Sequence, residues 1–297
     1  MNVGISALSL SVPTLRVSLE DWCAWTGGDW SKTQAVIGRS FRMLPPDQSI
    51  YTLAAAAVLK LIRDNGIDPS TIGYLALGTE SSTDNAAGAV IVKGLVDLAL
   101  DQPLARNCEV PELKHACLGG IYALKGALRF AALDPRGRKA IVVTGDVAEY
   151  ARGSSGEPTQ GAGAVAMLVE RDPKLLAIDL GKQGSASDYR GLDFRKPTRR
   201  HHVAGYSAST RRQHDFPVFN GRYSTFCYID AVLRAAEDYF EDRSALAELN
   251  AASAVFLHRP YKRMPETAMV RLLLWAMCEQ PESLDALCAD TGLDGRP

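Results

Sequence analysis

Apolar positions along the chain follow two rhythms. Short, mostly apolar runs at 73–79, 140–144, 164–169 and 254–257 are each followed by glutamate, glycine or histidine. Runs this brief predict strands buried in a sheet. Between them, apolar residues recur at helical spacing over 50–65, 86–100, 118–132, 228–241 and 265–279. The first of these helices stops at Gly66, a natural C-terminal cap. The last opens with Pro265, tolerated in a first turn because its missing N–H would have no helical partner. Strands alternating with helices predict an α/β architecture. Between 183 and 222 the periodicity fades and Gly, Pro, Ser, Arg and His accumulate. This reads as a long loop or flap, and loops of that length are often functional. Arg171-Asp172-Pro173 marks a boundary between two halves, 1–172 and 173–297, without a flexible linker.

Composition narrows the class without naming a partner. The 297 residues, 46% hydrophobic and 23% charged, suit one large core or two smaller ones and argue against disorder. Thirty-three basic residues against 34 acidic ones leave a net charge of -1. No global field therefore points to nucleic acid or an anionic membrane. No apolar run is expected to reach bilayer length, and no secretory signal is expected from Met1–Ile5, which lacks a basic segment followed by an apolar stretch. The six cysteines, at 23, 108, 117, 227, 278 and 288, form neither a CxxC pair nor a zinc-spaced cluster. Reduced thiols, a cytoplasmic location and no metal site are the expectation.

Three reactive residues share one placement. Glu80, Cys117 and His258 each follow an apolar run, and in open α/β sheets ligands collect at the carboxyl ends of strands. Cys117 lies in Glu112-Leu-Lys-His-Ala-Cys-Leu-Gly-Gly120. A helix from Leu118 would set the sulfur at a helix N-terminus, where the positive dipole end draws a thiol down from its usual pKa of about 8.5. Gly119 and Gly120 would then admit a substrate closely. By spacing alone, a small buried thiol is the commoner reading of such a cysteine. Glu80 can serve as general base or acid, or be a solvated loop acid or helix cap. His258 can polarise a carbonyl or give a proton, or simply be satisfied by backbone hydrogen bonds. The glycines of Gly161-Ala-Gly-Ala-Val-Ala166 lead into a strand, which excludes a dinucleotide-binding turn. Arg190, Arg195, Lys196, Arg199, Arg200, Arg211 and Arg212 stand against one acid, Asp193, in a stretch that can bind phosphates or be a solvated loop. Lys262 and Arg263, just after His258, are better placed for an anion.

Several segments together resemble one family. Gly78-Thr-Glu-Ser-Ser-Thr-Asp84 looks like the glutamate motif of 3-hydroxy-3-methylglutaryl-CoA synthases, and Leu113-Lys-His-Ala-Cys-Leu-Gly-Gly120 resembles their nucleophile motif. Gly156–Met167, with Gly145-Asp146 upstream, resembles their glycine-rich segment. Leu192-Asp-Phe-Arg-Lys-Pro197, Phe216–Gly221 and Phe256-Leu-His-Arg-Pro-Tyr-Lys-Arg-Met264 follow in family order. The resemblance implies a thiolase-like layered αβαβα fold and a cysteine-based condensing enzyme joining acetyl-CoA to acetoacetyl-CoA, with CoA thioesters as substrates and no cofactor. It implies Cys117 as acyl carrier, Glu80 as base and His258 at the second thioester. Asp146, Asp193, Gly161 and Gly163 would line or support the pocket, with Lys262 and Arg263 near CoA phosphates.

Family members extend well beyond the helix that follows the histidine motif, so the second half is expected to be incomplete. A homodimer, or a hetero-oligomer with a chain supplying the remaining part, is expected. Two other readings stand beside the condensation. One moves the same chemistry to β-ketothioesters on an acyl carrier protein, and the other is a non-catalytic or half-site subunit.

Overall fold

In the computed structural model of the chain, the described residues are 2–82, 84, 86–150, 152–154, 156–189 and 221–291. In chain order the elements are β1 (Val3–Ser11), β2 (Leu15–Ser18), α1 (Leu19–Thr26), α2 (Trp30–Val36), β3 (Ser40–Met43), α3 (Ile50–Asp64), β4 (Ile72–Gly78) and α4 (Gly88–Leu98). They continue with β5 (Glu112–Leu113), α5 (Gly119–Leu133), β6 (Lys139–Ala148), β7 (Gly161–Arg171) and β8 (Leu176–Ala177). Four helices complete them: α6 (Gly221–Phe240), α7 (Ala245–Ala251), α8 (Arg263–Met277) and α9 (Pro281–Thr291). Two compact units emerge. The first is Met1–Thr33 with Arg39–Leu180, and the second is Gln34–Gly38 with Gly181–Pro297.

The first unit is built on a mixed six-stranded sheet in the order β5-β4-β6-β7-β1-β8. β4 pairs parallel with β5 and β6, whereas β6–β7, β7–β1 and β1–β8 are antiparallel. Period-two alternation sends Leu75, Leu77, Ile141 and Val143 to one face, where they pack with α3 and α4. Tyr74, Ala76, Ala140 and Val142 face the other way, against Ala123, Ala127, Leu128 and Ala131 of α5. Because both faces are covered, β4 reads as an unbroken apolar run, buried at every position. Burying each large side chain contributes about 1.5–3 kcal/mol relative to exposure.

α3 forms where its signals place it. Ser49 and Thr52 make a reciprocal capping box, and the chain turns out of the helix at Gly66, whose φ of 56° suits glycine. The glycines at 161 and 163 do open a strand, β7. One expectation needs correcting: residues 116–133 form an 18-residue stretch apolar enough to cross a bilayer. Its helix, α5, instead lays its alanine-rich face into the core of the first unit.

The second unit is helical among the described residues. α6, α7 and α8 bury Ala236, Phe240, Ala245, Leu246, Leu272 and Ala276 together. The strand expected at 254–257 is absent; these residues belong to no helix or strand, with Val255 45% and Phe256 94% exposed. A strand is defined by its neighbour's hydrogen bonds, and no strand lies within this unit among the described residues. His258 therefore follows an apolar run that has no sheet partner there.

Candidate active site

β4, β5 and β6 run parallel and adjacent, so their carboxyl ends share one edge. Glu80 lies two residues beyond β4, Cys117 four beyond β5, and Asp146 near the end of β6. Three glycines let this edge close. A Cβ on Gly78 would lie 2.5 Å from the Gly120 nitrogen, one on Gly119 would meet the Leu113 carbonyl at 2.7 Å, and one on Gly120 would meet Thr144 Oγ1 at 2.6 Å. The first turn of α5 thus rests directly on the strand ends. Gly119 and Gly120 serve this helix-to-strand approach.

Cys117 follows Ala116, whose φ of 42° is left-handed. Such a conformation in a residue with a Cβ costs about 1–3 kcal/mol and persists only where surroundings enforce it. Two turn hydrogen bonds do so: Leu118 N–H to His115 O at 2.9 Å and Gly119 N–H to Ala116 O at 3.1 Å. Leu118 is the N-cap of α5, and Cys117 precedes it with an exposed side chain. The expected lowering of the thiol's pKa is overturned. Partial desolvation of the sulfur by the surrounding protein, then the Glu80 charge, then the Asp146 charge push it up, against a smaller opposing bond from its own backbone N–H.

Asp146 organises the Glu80 segment. Its Oδ1 accepts from Thr79 Oγ1 and Glu80 N–H at 2.8 Å each, and from Ser81 Oγ at 2.8 Å and Ser81 N–H at 3.2 Å. Ser81 Oγ also accepts from Val147 N–H at 2.8 Å. Thr79 is fully buried and Glu80 is exposed, so the backbone is held while the carboxylate projects.

Tyr150 belongs to the same edge and was missed in the sequence. Burial, followed by the Glu80 and Cys117 charges, raises its hydroxyl pKa, which puts it within electrostatic reach of both. Its N–H donates to Gln160 Oε1 at 3.3 Å, and its ring fills the space where Gly156 lacks a Cβ. The available signal was its position just past β6. Gly163 pairs with Asp146 and Gly161 with Ala148 in the β6–β7 ladder. The atoms nearest to a Cβ built on them lie 3.9 Å and 3.6 Å away, so packing does not demand glycine at either position.

His258, Lys262 and Arg263 belong to the second unit. The Tyr228 hydroxyl donates to the His258 carbonyl at 2.6 Å, and the two rings lie 6.3 Å apart. Burial lowers the imidazole pKa below 6.5 and favours its neutral form. Lys262 is the N-cap of α8 and Arg263 its first residue, so two cations stand at the start of this helix, where the Met264 N–H donates to the Tyr261 carbonyl at 3.2 Å. Asp193 and the arginines at 190–212 lie outside the described residues. Among the described residues, no group of three or more His, Cys, Asp or Glu side chains is placed to hold a metal ion.

Comparison with known proteins bears on the family and the fold. The family profile for the hydroxymethylglutaryl-coenzyme A synthase N terminal matches residues 1–174. The hydroxymethylglutaryl-CoA synthase of Enterococcus faecalis is 32% identical over 272 residues, covering 91% of this chain and 64% of that enzyme. The cytoplasmic enzyme of Gallus gallus is 30% identical over 284 residues, covering 92% of this chain and 51% of its own. A solved structure of MvaS in complex with 3-hydroxy-3-methylglutaryl coenzyme A superposes with a TM-score of 0.75 at 33% identity, covering 91% of this chain and 62% of that one. The shared architecture is the expected thiolase-like α/β fold, and the chain spans less than two thirds of the length of these relatives. With its profile match running over more than half the sequence, the chain belongs to the hydroxymethylglutaryl-CoA synthase family.

Proposed function

We propose that the chain carries the acyl-transfer and condensation chemistry of a hydroxymethylglutaryl-CoA synthase, with Cys117 as nucleophile and Glu80 as base. The observation that carries this reading is the meeting of Glu80, Cys117 and Asp146 at the carboxyl ends of three neighbouring parallel strands, close enough for both carboxylates to perturb the thiol. The avian relative's description as cytoplasmic supports the same location for this chain.

A thiol whose pKa is raised rests protonated near neutrality. Cys117 therefore loses its proton as it attacks the acetyl carbonyl of acetyl-CoA. The carbon–sulfur bond to CoA breaks, and CoA departs carrying a proton as the free thiol. The acetyl group is then a thioester of Cys117. Glu80 takes a proton from its methyl group, and the resulting enolate carbon attacks the ketone of acetoacetyl-CoA. That oxygen becomes an alkoxide and gains a proton, the step in which His258 assists. Water then cleaves the thioester, returning the thiol and releasing 3-hydroxy-3-methylglutaryl-CoA as a carboxylate.

Asp146 keeps the base-bearing segment in place, and Tyr150 offers a hydroxyl to the same space. Gly161 and Gly163 leave room along β7, while Lys262 and Arg263, at the start of α8, suit the phosphates of CoA. The test is incubation with acetyl-CoA and acetoacetyl-CoA, with the product identified by mass spectrometry. Cys117→Ala abolishes both acetyl uptake and product, whereas Glu80→Gln keeps acetyl uptake and loses product. Product formation by Cys117→Ala would refute the reading.

A further inference from the structure

The Glu80 segment is held from two sides, and only one side has a role so far. Asp146 and Val147 grip it from β6. From the opposite flank, the short run that ends in Cys117 reaches across with two side chains. Lys114 Nζ donates to the Ser82 carbonyl at 3.0 Å. Glu112 Oε2 accepts from the Gly88 N–H, at the first turn of α4. That helix has Ala87 as its N-cap, which offers no side-chain acceptor, so Glu112 supplies from another strand what a local cap would normally provide. Gly88 is needed for this approach, because a Cβ there would lie 3.0 Å from Glu112 Oε2 and 2.7 Å from the Tyr51 ring. Between the two contacts runs the backbone bond from Thr79 N–H to Leu113 O at 3.2 Å.

We propose that Lys114 and Glu112 are positioning residues that register the Glu80 segment against the Cys117 turn. Their contacts fix both ends of the stretch from Ser82 to Gly88, which leaves Glu80 little freedom to swing from the sulfur. Lys114 acts by tethering and not by charge on the thiol, since the charges that shift Cys117 are those of Glu80 and Asp146. A freely solvated lysine samples many rotamers, and holding one in a single hydrogen bond has an entropic cost that the contact must offset. The proposal rests on the reading of Cys117 as nucleophile and Glu80 as base. It adds that their geometry is set by a contact within the nucleophile's own segment.

The experiment compares the parent chain with Lys114→Met, Lys114→Arg and Glu112→Gln. Three quantities are read: acetylation of Cys117 by acetyl-CoA, solvent-deuterium exchange into the methyl group of the bound acetyl, and backbone amide exchange over residues 79–88. Lys114→Met is expected to slow methyl exchange by about 10- to 100-fold, the range for a small misplacement of a reacting group. Acetylation should fall much less, and amide exchange over 79–88 should quicken. Lys114→Arg, which retains a donor, should recover most of the methyl exchange. Glu112→Gln should loosen the same segment, chiefly at its Gly88 end. A parent chain that takes up no acetyl group overturns the functional reading itself. A parent chain that takes it up, with Lys114→Met leaving methyl exchange and amide exchange unchanged, overturns this proposal alone. Equal loss of acetylation and methyl exchange also overturns it, because that pattern marks general disruption of the fold.

Discussion

Replacing Asp146 separates two effects that would otherwise be confused. Its Oδ1 receives four hydrogen bonds, from Thr79 Oγ1, Glu80 N–H, Ser81 N–H and Ser81 Oγ, at 2.8–3.2 Å. In Asp146→Ala the Thr79 hydroxyl, at a fully buried residue, loses a charged acceptor, while the exposed Glu80 N–H can turn to water. One buried group left unsatisfied costs about 1–3 kcal/mol, and the remaining contacts add about 1 kcal/mol net. A loss of about 2–4 kcal/mol is therefore expected in urea denaturation, read from the midpoint at constant slope. Asp146→Asn retains a carbonyl acceptor and should lose about half as much. The thiol should respond in the opposite sense. Asp146 is one of the charges raising the Cys117 pKa, so removing it makes the sulfur more acidic. Iodoacetamide labelling of Cys117, followed against pH, should show its midpoint shifting down in both variants. A less stable protein with a more reactive cysteine is an unusual pairing for a site mutation. An unchanged or higher labelling midpoint would refute the assigned cause of the shift, and an unchanged stability would refute the anchoring role.

Three further outcomes follow from particular contacts. Gly78→Ala drives a Cβ to within 2.6 Å of the backbone of Gly119 and Gly120, which cannot yield as a side chain could. It should cost about 1–3 kcal/mol or more in thermal or urea unfolding, and a parent-like curve would contradict the close approach of α5. His258 has a folded pKa below 6.5 because of burial, so the unfolded chain takes up its proton first as pH falls. Stability from this group is full above 6.5 and declines below it, and His258→Gln should flatten the stability profile there. Asp134 accepts from the N–H groups of Arg136 and Arg138 and pairs with the Arg138 guanidinium at 2.7 Å, which holds its pKa down to about 2. Its contribution is present above the ordinary value of 3.8 and is lost as pH falls towards about 2, so Asp134→Asn should remove that acid-side slope.

The elements legible in the sequence are those whose environment is uniform. β4 and the 140–143 stretch of β6 read as apolar runs because both their faces are covered, β7 reads as one although its burial alternates, and α3 carries its own cap and stop. β1 was not legible, because Ser6 and Ser9 occupy buried positions and break its apolar pattern. β5 has only two residues, too short for any periodicity. At 254–257 the composition suits a strand, but a strand exists through a neighbour, and the second unit offers none among the described residues. Cys117 and Glu80 could be picked out by type and position at run ends. The direction of the thiol's shift could not be read, because it depends on carboxylates distant in sequence. Tyr150, Glu112 and Lys114 escaped notice for the same reason. Lys114 reaches a carbonyl 32 residues away, and Glu112 reaches an N–H 24 residues away.

The most direct measurement is peptide mapping of the chain after brief exposure to labelled acetyl-CoA, quenched in acid to preserve a thioester. One acetyl group is expected, on the peptide that contains Cys117, and it should be released by neutral hydroxylamine. Label on another residue, or none while the chain remains folded, would contradict the assignment of Cys117 as the acyl carrier.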